Sequence, residues 1–250
     1  MTISRRLTAE FLGTAFLVAA VIGSGIMGER LAGGNVELAL LANTMATGAA
    51  LVALILAFGP ISGAHLNPAV TLSIALENGI SWLQSLQYAV VQVLGGVTGA
   101  VAAHLMFGLA PITISHHARN GPAQFLSELI ATFGLVCVVW GCSRSRPEAV
   151  PYAVGAYITA AYWFTSSTSF ANPAVTVARS ISDTFAGIRP SDASLFVVAQ
   201  FLGAISATLL FRWLMPVRSG TAATPECGDI QAANHETPER HSTALRTSEP

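Results

Sequence analysis

The chain has 250 residues, 52% of them hydrophobic and 10% charged, with a formal net charge of −1. Soluble domains carry charge on roughly a quarter of their residues, so the composition argues against a soluble fold. The near-zero charge argues against nucleic acid, which would want a basic face.

A membrane-spanning helix needs about 20 mainly apolar residues. The first such stretch is Leu7–Met27. Arg5 and Arg6 ahead of it, and Gly23-Ser24-Gly25 within it, give it the outline of a secretory signal. Glu10 interrupts the start of the apolar run, however, and Glu10-Phe11-Leu12-Gly13-Thr14 has an internal copy in Glu128-Leu129-Ile130-Ala131-Thr132. The second stretch is Val36–Phe58, followed by the shorter Ile61–Asn78. The third and fourth are Trp82–Leu109 and Ala123–Cys142, and the fifth is Ala149–Ser169. A second short segment, Phe170–Phe185, precedes the sixth stretch, Ala193–Met215. Beyond Arg218 the chain turns polar, with acidic Glu226, Asp229, Glu236, Glu239 and Glu249, and 219–250 is read as a disordered tail. Cys137 and Cys142 share an apolar stretch and are read as small buried hydrophobes, while Cys227 lies in the tail.

The two short segments carry the same tripeptide, Asn67-Pro68-Ala69 and Asn172-Pro173-Ala174, each continued by Val-Thr. An amide inside an apolar stretch is costly without partners, so two in one context imply a job. Asn is a good N-cap, and Pro is favoured at the next helical position. Capping spends the side-chain oxygen and leaves the two NH₂ donors pointing away from each helix. A ten-residue helix is about 15 Å long against a hydrocarbon core of about 30 Å, so each piece reaches half-way. Two half-helices meeting at mid-membrane would set four donors and two positive dipole ends around one spot. That arrangement suits a neutral hydroxylated solute and repels cations.

With three spans in each copy, the second repeat lies upside-down relative to the first, an architecture that places broken helices at the midplane. The halves are about 5–109 and about 123–215, within one channel domain over 1–218. Arg5, Arg6, Arg144, Arg146, Arg212 and Arg218 fall on the side of the termini and Arg30, Arg119 and Arg189 on the other. That bias puts both termini in the cytoplasm.

Ser62-Gly63-Ala64-His65-Leu66-Asn67-Pro68-Ala69-Val70-Thr71, the second Asn-Pro-Ala, the repeated Glu and the six spans together resemble the major intrinsic proteins, the aquaporins and aquaglyceroporins. The resemblance implies an all-α membrane protein of six transmembrane helices and two re-entrant half-helices in a right-handed bundle. It also implies a homotetramer in the cell (inner) membrane, passive flux and no cofactor. The family's outer constriction corresponds here to Thr47, Ala160, Ser169 and Val175, counted from the two Asn. Nearly all the family carries an Arg at the position of Val175. Small groups at these positions imply a wide aperture and resemble the bacterial aquaglyceroporins associated with arsenic resistance. The substrates implied are metalloid hydroxides such as arsenous acid, methylated arsenicals and glycerol-like polyols, with a mainly water-conducting pore as the alternative. Arg179, one turn beyond Val175, either guards a widened vestibule or snorkels to the outer headgroups.

Glu10 and Glu128 are intramembrane carboxylates, read as bracing the re-entrant loops by accepting backbone N–H groups, with His65 either packing the first loop or lining the inner mouth. A proton-coupling role for the two Glu would instead make the chain a secondary transporter. His104 is read as a satisfied helix histidine, and the adjacent His116 and His117 as weak evidence for a metal or pH site. Nothing in the spacing of His, Asp and Glu suggests an enzyme or a metal centre.

Overall fold

The computed structural model describes residues 1–215, so the expected tail at 219–250, with Arg218 and Cys227, lies outside the described residues. Those residues form eight α-helices: α1 (Ile3–Leu31), α2 (Val36–Ser62), α3 (Pro68–Leu76), α4 (Trp82–Met106), α5 (Pro122–Ser145), α6 (Val150–Phe164), α7 (Pro173–Arg179) and α8 (Pro190–Leu214). Helices α1, α2, α4, α5 and α8 are long and apolar enough to cross a bilayer. The 15-residue α6, extended at its start by a 3₁₀ turn over Pro147–Ala149, is the short span. The expected fifth stretch ran on to Ser169, whereas α6 stops at Phe164 and the chain from Thr165 to Asn172 is irregular.

The half-helices begin as their sequences dictate. Asn67 Oδ1 accepts from the Ala69 N–H (2.8 Å) and Asn172 Oδ1 from Ala174 (3.0 Å) and Val175 (3.3 Å). Pro68 and Pro173 take the first helical position, where a missing N–H costs nothing. Helix α3 has 9 residues and α7 has 7, lengths of about 14 and 11 Å, so neither crosses a bilayer. Each packs on both α4 and α8, one from each half of the chain.

Close helix contacts rest on glycine. Helix α1 lies so near α4 that a Cβ on Gly95 would stand 2.3 Å from the Phe11 carbonyl, and one on Gly99 2.1 Å from that of Ala15. The second half repeats the device, with Gly203 of α8 facing the Leu129 carbonyl of α5 at 2.4 Å. Glu77, which closes α3, bonds Arg144 of α5 (3.1 Å) and Arg212 of α8 (2.8 Å).

These contacts give a mutational prediction. Because backbone atoms have no room to yield, Gly99→Val should lower the detergent melting temperature by several degrees, a cost of about 1–3 kcal/mol or more. Gly59→Ala, where a Cβ meets nothing within 4 Å, should not lower it. Equal melting temperatures for the two variants would contradict this packing.

Candidate functional site

Each half-helix is preceded by a loop held in an unusual backbone. Ala64 and Leu66 have φ of 45° and 49°, and Ser169 and Ala171 have φ of 47° and 49°. These are the left-handed region, which L side chains rarely adopt and which persists only where the surroundings fix it. The fixing group is a carboxylate in both loops. Glu10 accepts from the N–H of His65 (3.0 Å) and Leu66 (2.7 Å), from the Ser62 hydroxyl (2.6 Å) and from Gln92 Nε2 (2.8 Å). Glu128 accepts from the N–H of Phe170 (2.8 Å) and Ala171 (2.9 Å) and from Gln200 Nε2 (2.6 Å). Both Glu are wholly buried, and neither borders the cavity described below.

The two-fold correspondence extends beyond the motifs. Gln92 also donates to Thr71 (3.0 Å), as Gln200 does to Thr176 (2.9 Å). One turn before each Gln is an aromatic ring, Tyr88 or Phe196. Tyr88 packs on His65 and Phe196 on Phe170, each at a centroid distance of 5.2 Å. His65 and Phe170 hold the same place, two residues before their Asn. The Thr71 hydroxyl donates to the Asn67 carbonyl (2.9 Å), so its contact with His65 Nδ1 (3.1 Å) requires that nitrogen to carry the proton.

The two Asn are cross-connected. Asn67 Nδ2 donates to the Ala171 carbonyl and Asn172 Nδ2 to the Leu66 carbonyl, both at 2.8 Å. The sequence suggested four free donors, but each amide spends one N–H on the opposite loop, leaving one on each. The physical reason is that the left-handed residue before each Asn supplies a carbonyl that would otherwise go unpaired.

Both Asn line a cavity of about 110 Å³ that runs from Ile74 and Val150 at one end to Arg179 at the other. Its walls are largely aliphatic, with Leu51, Ile55, Val154 and Ile158 from α2 and α6. His65, Thr47, Ser169 and Val175 also line it. Ala160 does not: it is exposed on the opposite face of α6, and the helix instead turns Ile158 and Tyr162 to the cavity. The count backward from Asn172 crosses the irregular 165–172 segment, so it does not preserve helical register. Residues four apart share a face, and the spacing of Val154, Ile158 and Tyr162 was the signal available.

Arg179 is 2% exposed and does not reach outward. Its Nε donates to the Ala186 carbonyl, and its Cζ lies 3.3 Å from the centroid of the Phe170 ring. A second guanidinium, from Arg119, stands 5.1 Å from that ring. Arg119 holds the loop, with Nε on the Gly187 carbonyl (2.9 Å) and Nη1 on that of Ser167 (3.2 Å). Both nitrogens of His104 are occupied, Nδ1 by the Pro111 carbonyl (3.1 Å) and Nε2 by the Ser182 hydroxyl (2.8 Å). His116 donates its backbone N–H to Asp183 (2.9 Å). Burial, then the nearby Arg119 and Arg179, lower the pKa of the His117 imidazole below its usual value, which favours its uncharged form. Among the described residues, no group of three or more His, Cys, Asp or Glu could hold a metal ion.

The profile of the major intrinsic protein family matches residues 1–169 and 145–239. The chain is 54% identical over 213 residues to the aquaglyceroporin AqpS of Rhizobium meliloti, covering 85% of this chain and 91% of that one. It is 28% identical to aquaporin Z of Bradyrhizobium diazoefficiens, covering 88% and 97%. The fold is similar to the X-ray structure of the aquaglyceroporin from Plasmodium falciparum, with a TM-score of 0.68 at 19% identity over 84% of this chain and 96% of that one.

The unequal bond counts at the two carboxylates predict unequal losses. Each buried group left unpaired costs about 1–3 kcal/mol, so Glu10→Ala should destabilise the protein more than Glu128→Ala, and Gln at either place less than Ala. Thermal denaturation in detergent checks the order, and a reversed order would mean the loops are held by something else.

Proposed function

The chain belongs to the major intrinsic proteins and is a multi-pass membrane channel for the passive movement of small neutral solutes, and on that premise we propose that its cavity is a solute pore lacking the filter Arg usual in the family. The reading is carried by Val175, an apolar side chain on the cavity wall at the third place after Asn172. Thr47 and Ser169 are the other small groups of this proposed filter, and Asn67-Pro68-Ala69 with Asn172-Pro173-Ala174 form its mid-membrane barrier. Neutral metalloid hydroxides such as arsenous acid, methylated arsenicals and glycerol-like polyols are the solutes proposed. Support comes from the 54% identical relative named an aquaglyceroporin and from hydroxyl-bearing Thr47 and Ser169 beside aliphatic walls.

In this reading the solute sheds part of its hydration shell at Thr47 and Ser169 and then crosses between Asn67 and Asn172. Each Asn retains one N–H for it, and the N-terminal dipole ends of α3 and α7 raise the barrier to cations. Arg179 supplies the fixed positive charge one turn further out, where its burial against Phe170 suits a vestibule guard. The carboxylates brace the loops and take no part in coupled transport, since all their protein contacts are with loop or helix donors. The channel domain over 1–218, a homotetramer in the cell (inner) membrane and cytoplasmic termini complete the proposal.

Stopped-flow proteoliposome measurements with water, glycerol and arsenous acid gradients test it. The parent should take up glycerol and arsenous acid rapidly, and Val175→Arg should reduce both by about tenfold or more while sparing water. Fast water flux without solute uptake by the parent would overturn the substrate assignment. Arg179→Ala should change solute selectivity or flux, and no change in either would remove Arg179 from the pore. With no Arg at the filter, more of the cation barrier falls on the paired Asn. Asn172→Ala should therefore raise cation conductance above the parent's, read as current across planar bilayers.

A further inference from the structure

The outer end of the cavity holds positive charge that nothing in the protein neutralises. Arg179 lines the cavity and is 2% exposed, yet among the described residues it forms no ion pair. Its Nε is taken by the Ala186 carbonyl, while its Nη1 is buried and has no hydrogen-bond partner. Arg119, on the same Phe170 ring, gives its side-chain N–H groups to neutral oxygens of Gly187, Ser167 and Thr168. The acids packed nearby are spent elsewhere. Glu128 serves Phe170, Ala171 and Gln200, and Asp192 pairs with Arg189. Asp183 is exposed and takes the backbone N–H of His116. Glu128 offsets one of the two guanidinium charges around Phe170, so an excess of one positive charge remains. No carboxylate lines the cavity among the described residues.

A hydroxyl at the same end is also unspent. Ser169 Oγ is buried, lines the cavity and has no partner, and Ser169 directly precedes the Phe170 on whose face Arg179 lies. A water could pair with Nη1 and Oγ, but only an anion also cancels the charge, and a buried charge without a counter-charge is costly. Guanidinium N–H groups suit the oxygens of a planar anion, and an excess of one charge calls for one negative charge. We propose that the outer end of the cavity binds one small planar monovalent oxyanion, of the size of nitrate or formate, on Arg179 and Ser169, and that the bound anion closes the cavity to neutral solute. The anion is held rather than passed on. Beyond the two Asn the walls are aliphatic at Ile74, Val139 and Val150, and Arg179 is the one Lys or Arg lining the void among the described residues. The binding site stands on the charge alone, whereas the block rests on the cavity being the conduction path.

The test compares full-length parent, Arg179→Gln, Ser169→Ala and Arg30→Gln chains, with nitrate and formate as probes and gluconate at equal ionic strength as the bulky control. In detergent, nitrate and formate should each raise the parent's melting temperature about 2–4 °C above its value in gluconate. Arg179→Gln should erase that difference and Ser169→Ala should reduce it by about half. Arg30→Gln, which removes an exposed guanidinium from the Phe107 ring, should keep it in full. In proteoliposomes, external nitrate should slow parental glycerol uptake about twofold or more and leave uptake by Arg179→Gln unslowed. No shift in the parent, or an equal shift in Arg179→Gln, would overturn the site. If Arg179→Gln does not fold, Ser169→Ala decides, and a full nitrate shift there overturns it. A nitrate current through the parent in planar bilayers would overturn the block, as would parental uptake that ignores nitrate although nitrate stabilises the protein. A parent that passes no glycerol would sink the substrate assignment instead, and the melting shifts would still decide the site.

Discussion

A carboxylate with no cation bonded to it is an expensive group to bury in a membrane protein, and this fold buries two. What makes them tolerable is that the loops beside them have N–H groups with nowhere else to go. A chain that turns back at mid-membrane cannot satisfy its backbone by helical bonding, and lipid offers no water. Glu10 and Glu128 convert that deficit into structure: their oxygens collect consecutive N–H groups, and the resulting backbone passes through left-handed positions at Ala64, Leu66, Ser169 and Ala171. The left-handed residues just before each Asn supply the carbonyls that receive the opposite Asn. Remove the carboxylate, and the half-helix loses both its approach and its anchor.

The cross-bonds between the loops have a further effect on how the halves relate. Asn67 is held by residue 171 and Asn172 by residue 66, so neither N-terminus can shift without moving the other. The pairing of α3 and α7 across this point, with each also packed on α4 and α8, ties the two repeats into one body. The arrangement is symmetric in the backbone and unequal in its side chains. Where the first loop carries His65 against Tyr88, the second carries Phe170 against Phe196, and only the second ring carries guanidinium groups.

The spans, the half-helices and the loop-facing role of the two Glu were legible because each is a local signal. Apolar length, an Asn-Pro start and a repeated carboxylate all announce themselves within a few residues. The number of amide donors left free was misjudged, because the carbonyls that consume them lie about a hundred residues away in sequence. Ala160 was misplaced for a related reason. The count from Asn172 treats helix and loop as one ruler, while the Thr165–Asn172 segment advances irregularly and leaves Tyr162 in the wall. The burial of Arg179 also lay beyond a linear reading, since its partners Phe170 and Ala186 are brought together only by the returning chain.

The residues that hold the loops and the residues that face the cavity are nearly separate sets. Glu10, Glu128, Thr71 and Thr176 bind the loop backbone, and Gln92 and Gln200 bind those Glu and Thr side chains. None of the six lines the void, whereas Thr47, Tyr162, Ser169 and Val175 line it from α2, α6, the second loop and α7. Asn67, Asn172 and His65 belong to both. Such a division decouples inheritance of the scaffold from inheritance of solute preference. Descendants of one ancestral pore could exchange substrates by drifting at a handful of wall positions, each change nearly silent for folding. The residues shared by both sets would remain the places where such drift is forbidden.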